Sequence, residues 1–155
     1  MKQADLQSVY VLIQDTIQTS YHKVYPVEAI EFFKNYHQKE SIWNDAISGY
    51  TAIVESNSKV VGTGTLLGTN IRRVFVDSLH QYRGIGKLIV QKLERKAVFE
   101  KLQVLDLESS LVSRQFWESL GFILQNEDYI PVRNGKKLLF YRMIKTLRVA
   151  SSSSI

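Results

Sequence analysis

The chain has 155 residues, 45% hydrophobic and 23% charged, ordinary values for one globular domain able to bury a core without staples. It contains no cysteine, which excludes a disulfide framework, a thiolate nucleophile and a cysteine metal site. Twenty Lys and Arg against fifteen Asp and Glu leave a formal charge of +5, a moderate basic excess that suits an anionic small molecule and supports nucleic-acid binding only weakly.

The first residues, MKQADLQSVY, are polar and carry no signal-peptide core, and no later run approaches the roughly 20 apolar residues of a membrane span. A cytoplasmic protein without membrane or nucleic-acid partners is therefore expected. From Asp5 to Ser20, Leu6, Val9, Leu12, Ile13 and Ile17 recur at helical intervals, with Asp5 placed to cap. Pro26 holds Tyr25 extended and suits the first turn of a second helix, Val27 to His37, predicted to bury Val27, Ile30 and one of Phe32 and Phe33. A third, short helix is predicted over Ser41 to Ile47, closed by Gly49.

The period then becomes strand-like. Tyr50 to Glu55 and Val60 to Leu67 read as an antiparallel pair joined over Asn57-Ser58-Lys59. Gly62 and Gly64 in the second strand mark a bulge or a close backbone approach. Gly68-Thr69-Asn70 turns the chain into a third strand, Ile71 to Val76. Gln81 to Lys87 follows as a glycine-spaced loop, and from Ile85 the residues Leu88, Ile89, Leu93 and Ala97 fall on one helical stripe. A strand feeding a glycine loop that opens a helix is a common pyrophosphate cradle, since free N–H groups converge there and the helix dipole favours an anion.

Leu102 to Leu107 is predicted as a strand reached by helical crossover, and so parallel to the Ile71 strand. Ser113 to Leu120 is a short helix with Ser113 as N-cap and Gly121 beyond its end. Phe122 to Pro131 and Lys137 to Ile144 form a hairpin around Asn134-Gly135. There are no repeats or linkers; residues 1–148 are expected to form a single domain and residues 149–155, rich in serine, a disordered tail.

With these pieces in order, the chain resembles the GNAT superfamily of N-acetyltransferases. The acetyl-coenzyme A signature Q/R-x-x-G-x-G/A is matched by Gln81, Gly84 and Gly86, after a strand and opening a helix. Phe116-Trp117-Glu118-Ser119-Leu120-Gly121-Phe122 is similar to the family's late helix, and Tyr141-Arg142-Met143-Ile144-Lys145 to its terminal strand. The resemblance covers nearly the whole domain. It implies an α/β (α+β) fold: a central mixed, mostly antiparallel sheet of six to seven strands, splayed into a V and flanked by four to five helices. It also implies acetyl-coenzyme A as co-substrate and no metal, with direct attack by a primary amine of a small molecule or peptide. Pantetheine is expected to pair with backbone groups of Val74, Phe75 and Val76. The pyrophosphate is expected on Gln81, Tyr82, Arg83, Gly84, Ile85, Gly86 and Lys87, with Arg83 and Lys87 adding charge. Ser110 stands where relatives carry an asparagine that contacts pantetheine.

Two departures stand out. The late-helix tyrosine that protonates the leaving thiolate in many relatives is Trp117 here, and an indole N–H is no acid near neutral pH. Trp117 is then expected to wall the acetyl pocket, and Glu108 and Tyr129 become the candidate base and phenol. The same departure motivates an alternative reading, an acyl-coenzyme A sensor or interaction module with little catalysis. Second, only Met1 to Ala4 precede the first helix, so the family's initial edge strand is reduced or missing. The acceptor is expected to enter past Tyr21, Tyr25, Phe32 or Phe33, and Tyr129. Arg72 and Arg73, adjacent in a strand, are expected to face opposite sides, each more readily paired with an acid than with substrate. His22, His37 and His80 are expected at the surface and not as metal ligands. A homodimer is left open.

Overall fold

The computed structural model describes residues 1–148; the predicted tail lies outside the described residues. Helices α1 (Leu6–Ser20), α2 (Val27–Tyr36) and α3 (Lys39–Ser48) come first, then the strands β1 (Tyr50–Ser56), β2 (Lys59–Leu67) and β3 (Asn70–Val76). Helix α4 (Ile85–Phe99), strand β4 (Val104–Ser110), helix α5 (Arg114–Ser119) and strands β5 (Ile123–Pro131) and β6 (Lys137–Thr146) complete the order. The six strands form one sheet, β1-β2-β3-β4-β6-β5, antiparallel at every junction except β3/β4. No initial strand precedes α1 among the described residues: a single 3-10 turn, Gln3–Asp5, stands there.

The sheet separates two cores. Helices α1 to α3 pack Val9, Ile13, Ile17, Ala29 and Ile42 on the face that carries Val60, Phe75, Leu138 and Phe140. Helix α4 packs Ile89, Val90, Leu93 and Ala97 on the other face, over Leu66, Ile71, Leu105, Leu107 and Met143. The β2 glycines set how close α4 comes. A Cβ on Gly62 would lie 2.8 Å from Ile89 Cδ1, and one on Gly64 2.5 Å from Ile89 Cγ2. Both predicted reasons for glycine hold here, because the β2/β3 register also slips beside Gly64.

Several expectations are corrected in detail. Val27 is exposed, and α2 instead buries Ala29 and Ile30. Strand β4 begins at Val104, not Leu102, because α4 ends in a Schellman cap. Lys101 takes φ +60°, its N–H bonds Val98 O (3.0 Å), and the Leu102 N–H bonds Ala97 O (3.0 Å). The strand then runs on through Ser109 and Ser110, which pair with Tyr141 and Phe140 of β6. His37 is buried, not at the surface, with its ring edge-on to Tyr36 and Phe75.

Candidate active site

The parallel junction between β3 and β4 holds at one point only, Asn70 opposite Asp106. Side chains clamp that point: Thr69 Oγ1 donates to Asp106 Oδ1 (2.6 Å) and Asn70 Nδ2 to Asp106 Oδ2 (2.9 Å). Beyond it the strands diverge, so the backbone of Ile71 to Val76 has a ladder partner on the β2 side and none on β4. Such an open edge is where an extended amide-bearing ligand can add as a strand. Val74, Phe75 and Val76 lie on it, although the Val76 carbonyl already accepts from Gln81 Nε2 (3.1 Å).

At the wide end of the gap lies the glycine loop. Gly84 takes φ +82° and precedes α4, whose first turn carries no acidic residue. Nothing comes within 4 Å of where a Gly84 Cβ would stand, whereas a Gly86 Cβ would press on the Phe116 ring at 3.1 Å. Tyr82 also takes a positive φ, +62°, with its side chain fully exposed. The N–H groups of Ile85, Gly86 and Lys87 are the first of a 15-residue helix and have no partner within it. Arg83 and Lys87 flank them, both exposed. The loop is braced by a pair that the sequence did not reveal: His80 Nδ1 lies 2.7 Å from Asp77 Oδ2. That hydrogen bond is the main reason the Asp77 carboxyl sits below its ordinary range, with Lys59 3.7 Å away adding to it. An open strand edge, a glycine loop and an uncapped cationic helix start fit a ligand whose extended arm leads to a pyrophosphate, as in coenzyme A.

A cavity of about 420 Å³ crosses the gap and opens toward α2 and the β5/β6 hairpin. Its lining brings together Glu108, Ser110, Trp117 and Tyr129 with Tyr21, His37, Arg72 and Arg73. Glu108 stands next to the clamp, its Oε2 accepting from Asn70 Nδ2 (3.2 Å) and its Oε1 3.6 Å from Arg142. Tyr129 is half-exposed, with Lys137 Nζ 4.2 Å above its ring. The hairpin tip is tied to α2 by Arg133 on Glu31 and by Asn134 Nδ2 donating to Glu28 (3.1 Å), which closes that side of the cavity.

Trp117 is 5% exposed and belongs to the α4-side core. Its position has a local cause. Helix α5 ends in a second Schellman cap: Gly121 takes φ +90°, its N–H bonds Glu118 O (3.0 Å), and the Phe122 N–H bonds Trp117 O (3.1 Å). That motif favours an apolar contact between its two end residues, and the Trp117 and Phe122 rings meet edge-on at 5.2 Å.

The wall beside Trp117 is a chain of hydroxyls. Ser113, expected to cap α5, makes no cap hydrogen bond. Its Oγ instead lies 2.9 Å from Ser110 Oγ and 3.2 Å from Ser109 Oγ. Tyr21 and Ser110 line the same cavity, and burial pushes the Tyr21 phenol above its ordinary pKa. Tyr25 is spoken for, donating to Leu139 O and accepting from the Leu111 N–H, both at 2.8 Å.

Arg72 and Arg73 do not face opposite sides. Thr65 pairs with Arg72 but Thr63 with Phe75, so β3 holds one extra residue there, and Arg73 takes φ +54°. The bulge turns both side chains onto Asp45 of α3, with Arg72 Nη1 at 3.2 Å and Arg73 Nη2 at 3.1 Å from the same Oδ2. The expected acid partner is present, one carboxylate for two arginines.

Residues 21–147 match the acetyltransferase (GNAT) domain model, and the chain belongs to that family, an acyltransferase enzyme by membership. No curated protein matches by sequence. Among solved structures the fold is shared with a GCN5-related N-acetyltransferase from Rhodopseudomonas palustris (TM-score 0.86, 19% identity, covering 95% of this chain and 92% of that one). It is also shared with the PaiA N-acetyltransferase from Thermoplasma acidophilum in complex with coenzyme A (0.74, 15%, 95% and 96%). A ribosomal-protein-alanine N-acetyltransferase from Brucella melitensis aligns at TM-score 0.68 and 20% identity, over 95% of this chain and 97% of that one. At these identities the likeness speaks for the fold. No described helix is long and apolar enough to cross a membrane.

Proposed function

We propose that the protein is an acetyl-coenzyme A-dependent N-acetyltransferase acting on a primary amine of a small molecule or peptide. The observation that carries this reading is the single-point β3/β4 junction beside the Gly84 loop. It leaves a strand edge and a phosphate cradle in line. When bound, acetyl-coenzyme A supplies an activated acetyl thioester. The β3 edge at Val74 and Phe75 orients the pantetheine arm. The Gln81–Lys87 loop and the α4 dipole would hold the pyrophosphate, and Ser110, on the cavity wall from β4, would contact the arm.

The amine enters from the α2 side and must lose a proton before it attacks. Glu108 lies at the narrow end of the gap with half its side chain exposed, placed to take that proton directly or through water. The departing thiolate needs a proton or a hydrogen bond. Among the phenols lining the cavity, Tyr21 is the one packed against the α1-to-α3 core while Tyr36 and Tyr129 are exposed, and it shares the lining with Ser110, Ser113 and Trp117, so the donor role is assigned to Tyr21 ahead of Tyr129. Burial keeps that phenol protonated, as a proton donor must be. Trp117 packs in the α5 cap, and a phenol elsewhere in the cavity is what separates this reading from a non-catalytic acyl-coenzyme A sensor. Calorimetric titration with acetyl-coenzyme A tests the placement. Saturable one-site binding that is lost in Gly84→Glu is expected, and undiminished binding in that variant would remove it.

A further inference from the structure

Among the described residues, three buried side-chain polar atoms lack a hydrogen-bond partner: Arg73 Nε, Arg73 Nη1 and His37 Nδ1. All three belong to two residues of one seam, where the end of α2 meets the β3 bulge, and both residues line the cavity. Buried polar groups are normally satisfied, so three orphans on one wall call for a common cause.

The chemistry of the missing partner can be read from the donors. The Arg73 side chain is only 3% exposed, and Asp45 engages its Nη2 alone. Each edge of the guanidinium therefore keeps a free N–H. Asp45 also serves Arg72 from the same oxygen, so two cations share one carboxylate and the wall carries an uncompensated positive charge. His37 contributes a ring nitrogen without a competing acid; desolvation, with the Arg73 charge adding, lowers its pKa to about 3, so the ring is neutral and its Nδ1 can carry the N–H. Arg73 is held there by a left-handed backbone that an ordinary side chain adopts only at a cost. Tyr36, whose ring lies 5.4 Å from the guanidinium, is half-exposed and so able to swing aside.

We propose that the acceptor amine carries a carboxylate, and that Arg73, assisted by His37 and Arg72, binds it. The class of acceptor is then an amino acid or a peptide with a free carboxyl end, with Arg142, Asp128 and Glu108 on the far wall facing the amine-bearing part. Two or three charge-assisted N–H···O bonds would satisfy the orphans and balance the second arginine. The acceptor's place rests on the acetyltransferase reading; the presence of an anion site does not.

The test is therefore a binding measurement that needs no turnover. N-acetyl amino acids, each as free acid and as primary amide, are titrated by calorimetry into the coenzyme A-loaded protein. At least one acid should bind about ten- to a hundred-fold more tightly than its amide, the range for hydrogen bonds to a charged group. Arg73→Gln should erase that ratio, and Arg73→Lys, which keeps the charge beside Asp45 but loses the planar donors, should cut it sharply. Folding of both variants is checked by circular dichroism. Overturning results are no acid preferred over its amide, including no binding at all, or a preference that survives in the folded Arg73→Lys protein. Failure of the coenzyme A titration would instead strike the acetyltransferase reading.

Discussion

Asn70 and Asp106 are the one registered pair between β3 and β4, and their side chains, joined at 2.9 Å, fix where the sheet stops being a sheet. Everything assigned to the donor lies on one side of that pair. Asp106→Ala removes the acceptor for both Thr69 and Asn70 and should cost about 1–3 kcal/mol of stability, measurable by urea unfolding. The free β3 edge should also lose its alignment, so acetyl-coenzyme A affinity should fall by more than in a surface variant of equal stability. Equal affinity would show that the clamp does not shape the gap.

Gly84 and Gly86 should separate binding from folding. At Gly84 a side chain meets open space but a φ of +82°, so Gly84→Ala should destabilise by roughly 1–2 kcal/mol and still fold. Gly84→Glu places a carboxylate in the cradle and should remove cofactor binding beyond calorimetric detection. At Gly86 any side chain must displace Phe116, so that substitution should lower both stability and binding.

His37 should make the fold acid-sensitive before the carboxylates titrate. Its folded pKa, lowered to about 3 by burial first and by Arg73 second, lies below the unfolded value near 6.5. The unfolded chain therefore binds the extra proton. The neutral ring's contribution is complete above about pH 6.5 and is lost as pH falls toward 3, at about 1.4 kcal/mol per pH unit. His37→Phe should flatten stability between pH 6 and pH 4, read from thermal melts across that window. An unchanged slope would mean that His37 is not the group responsible.

The contrast between Arg73 and the α4 loop shows what local pattern can and cannot carry. The loop was legible because glycine at fixed spacing, a strand before it and a helical stripe after it are all written in consecutive residues. The Arg72/Arg73 arrangement was not, because period-two alternation assumes an unbroken strand and nothing in R-R-V-F-V announces a bulge. Its cue lies on the neighbouring strand at Gly64, where the register slips. Leu102 looked like strand because it heads the apolar-rich run L-Q-V-L-D-L; it is instead the apolar end of a helix cap. Tyr21, Ser110 and Ser113 line one cavity from about ninety positions apart, a grouping only the folded sheet creates. Trp117 was visible as a departure in sequence, but its reason, the Phe122 contact across the cap, was not.

Tyr21→Phe should lower turnover about a hundred-fold at neutral pH while leaving the KM for acetyl-coenzyme A within about three-fold, since only a proton donor is removed. Its rate should recover little in Trp117→Tyr, which opens the packed cap and should itself cost about 1–3 kcal/mol. A Tyr21→Phe enzyme with full turnover would return the proton-donor role to Tyr129 or to water.

The central claim, that acetyl is passed to an amine across the β3/β4 gap, is tested most directly by thiol release from acetyl-coenzyme A over a panel of primary amines. Amino acids and short peptides should be included beside simple alkylamines and polyamines. Release that depends on the amine, saturates with it and disappears in Gly84→Glu is the predicted result. Tight acetyl-coenzyme A binding with no amine-dependent release anywhere in the panel would contradict it.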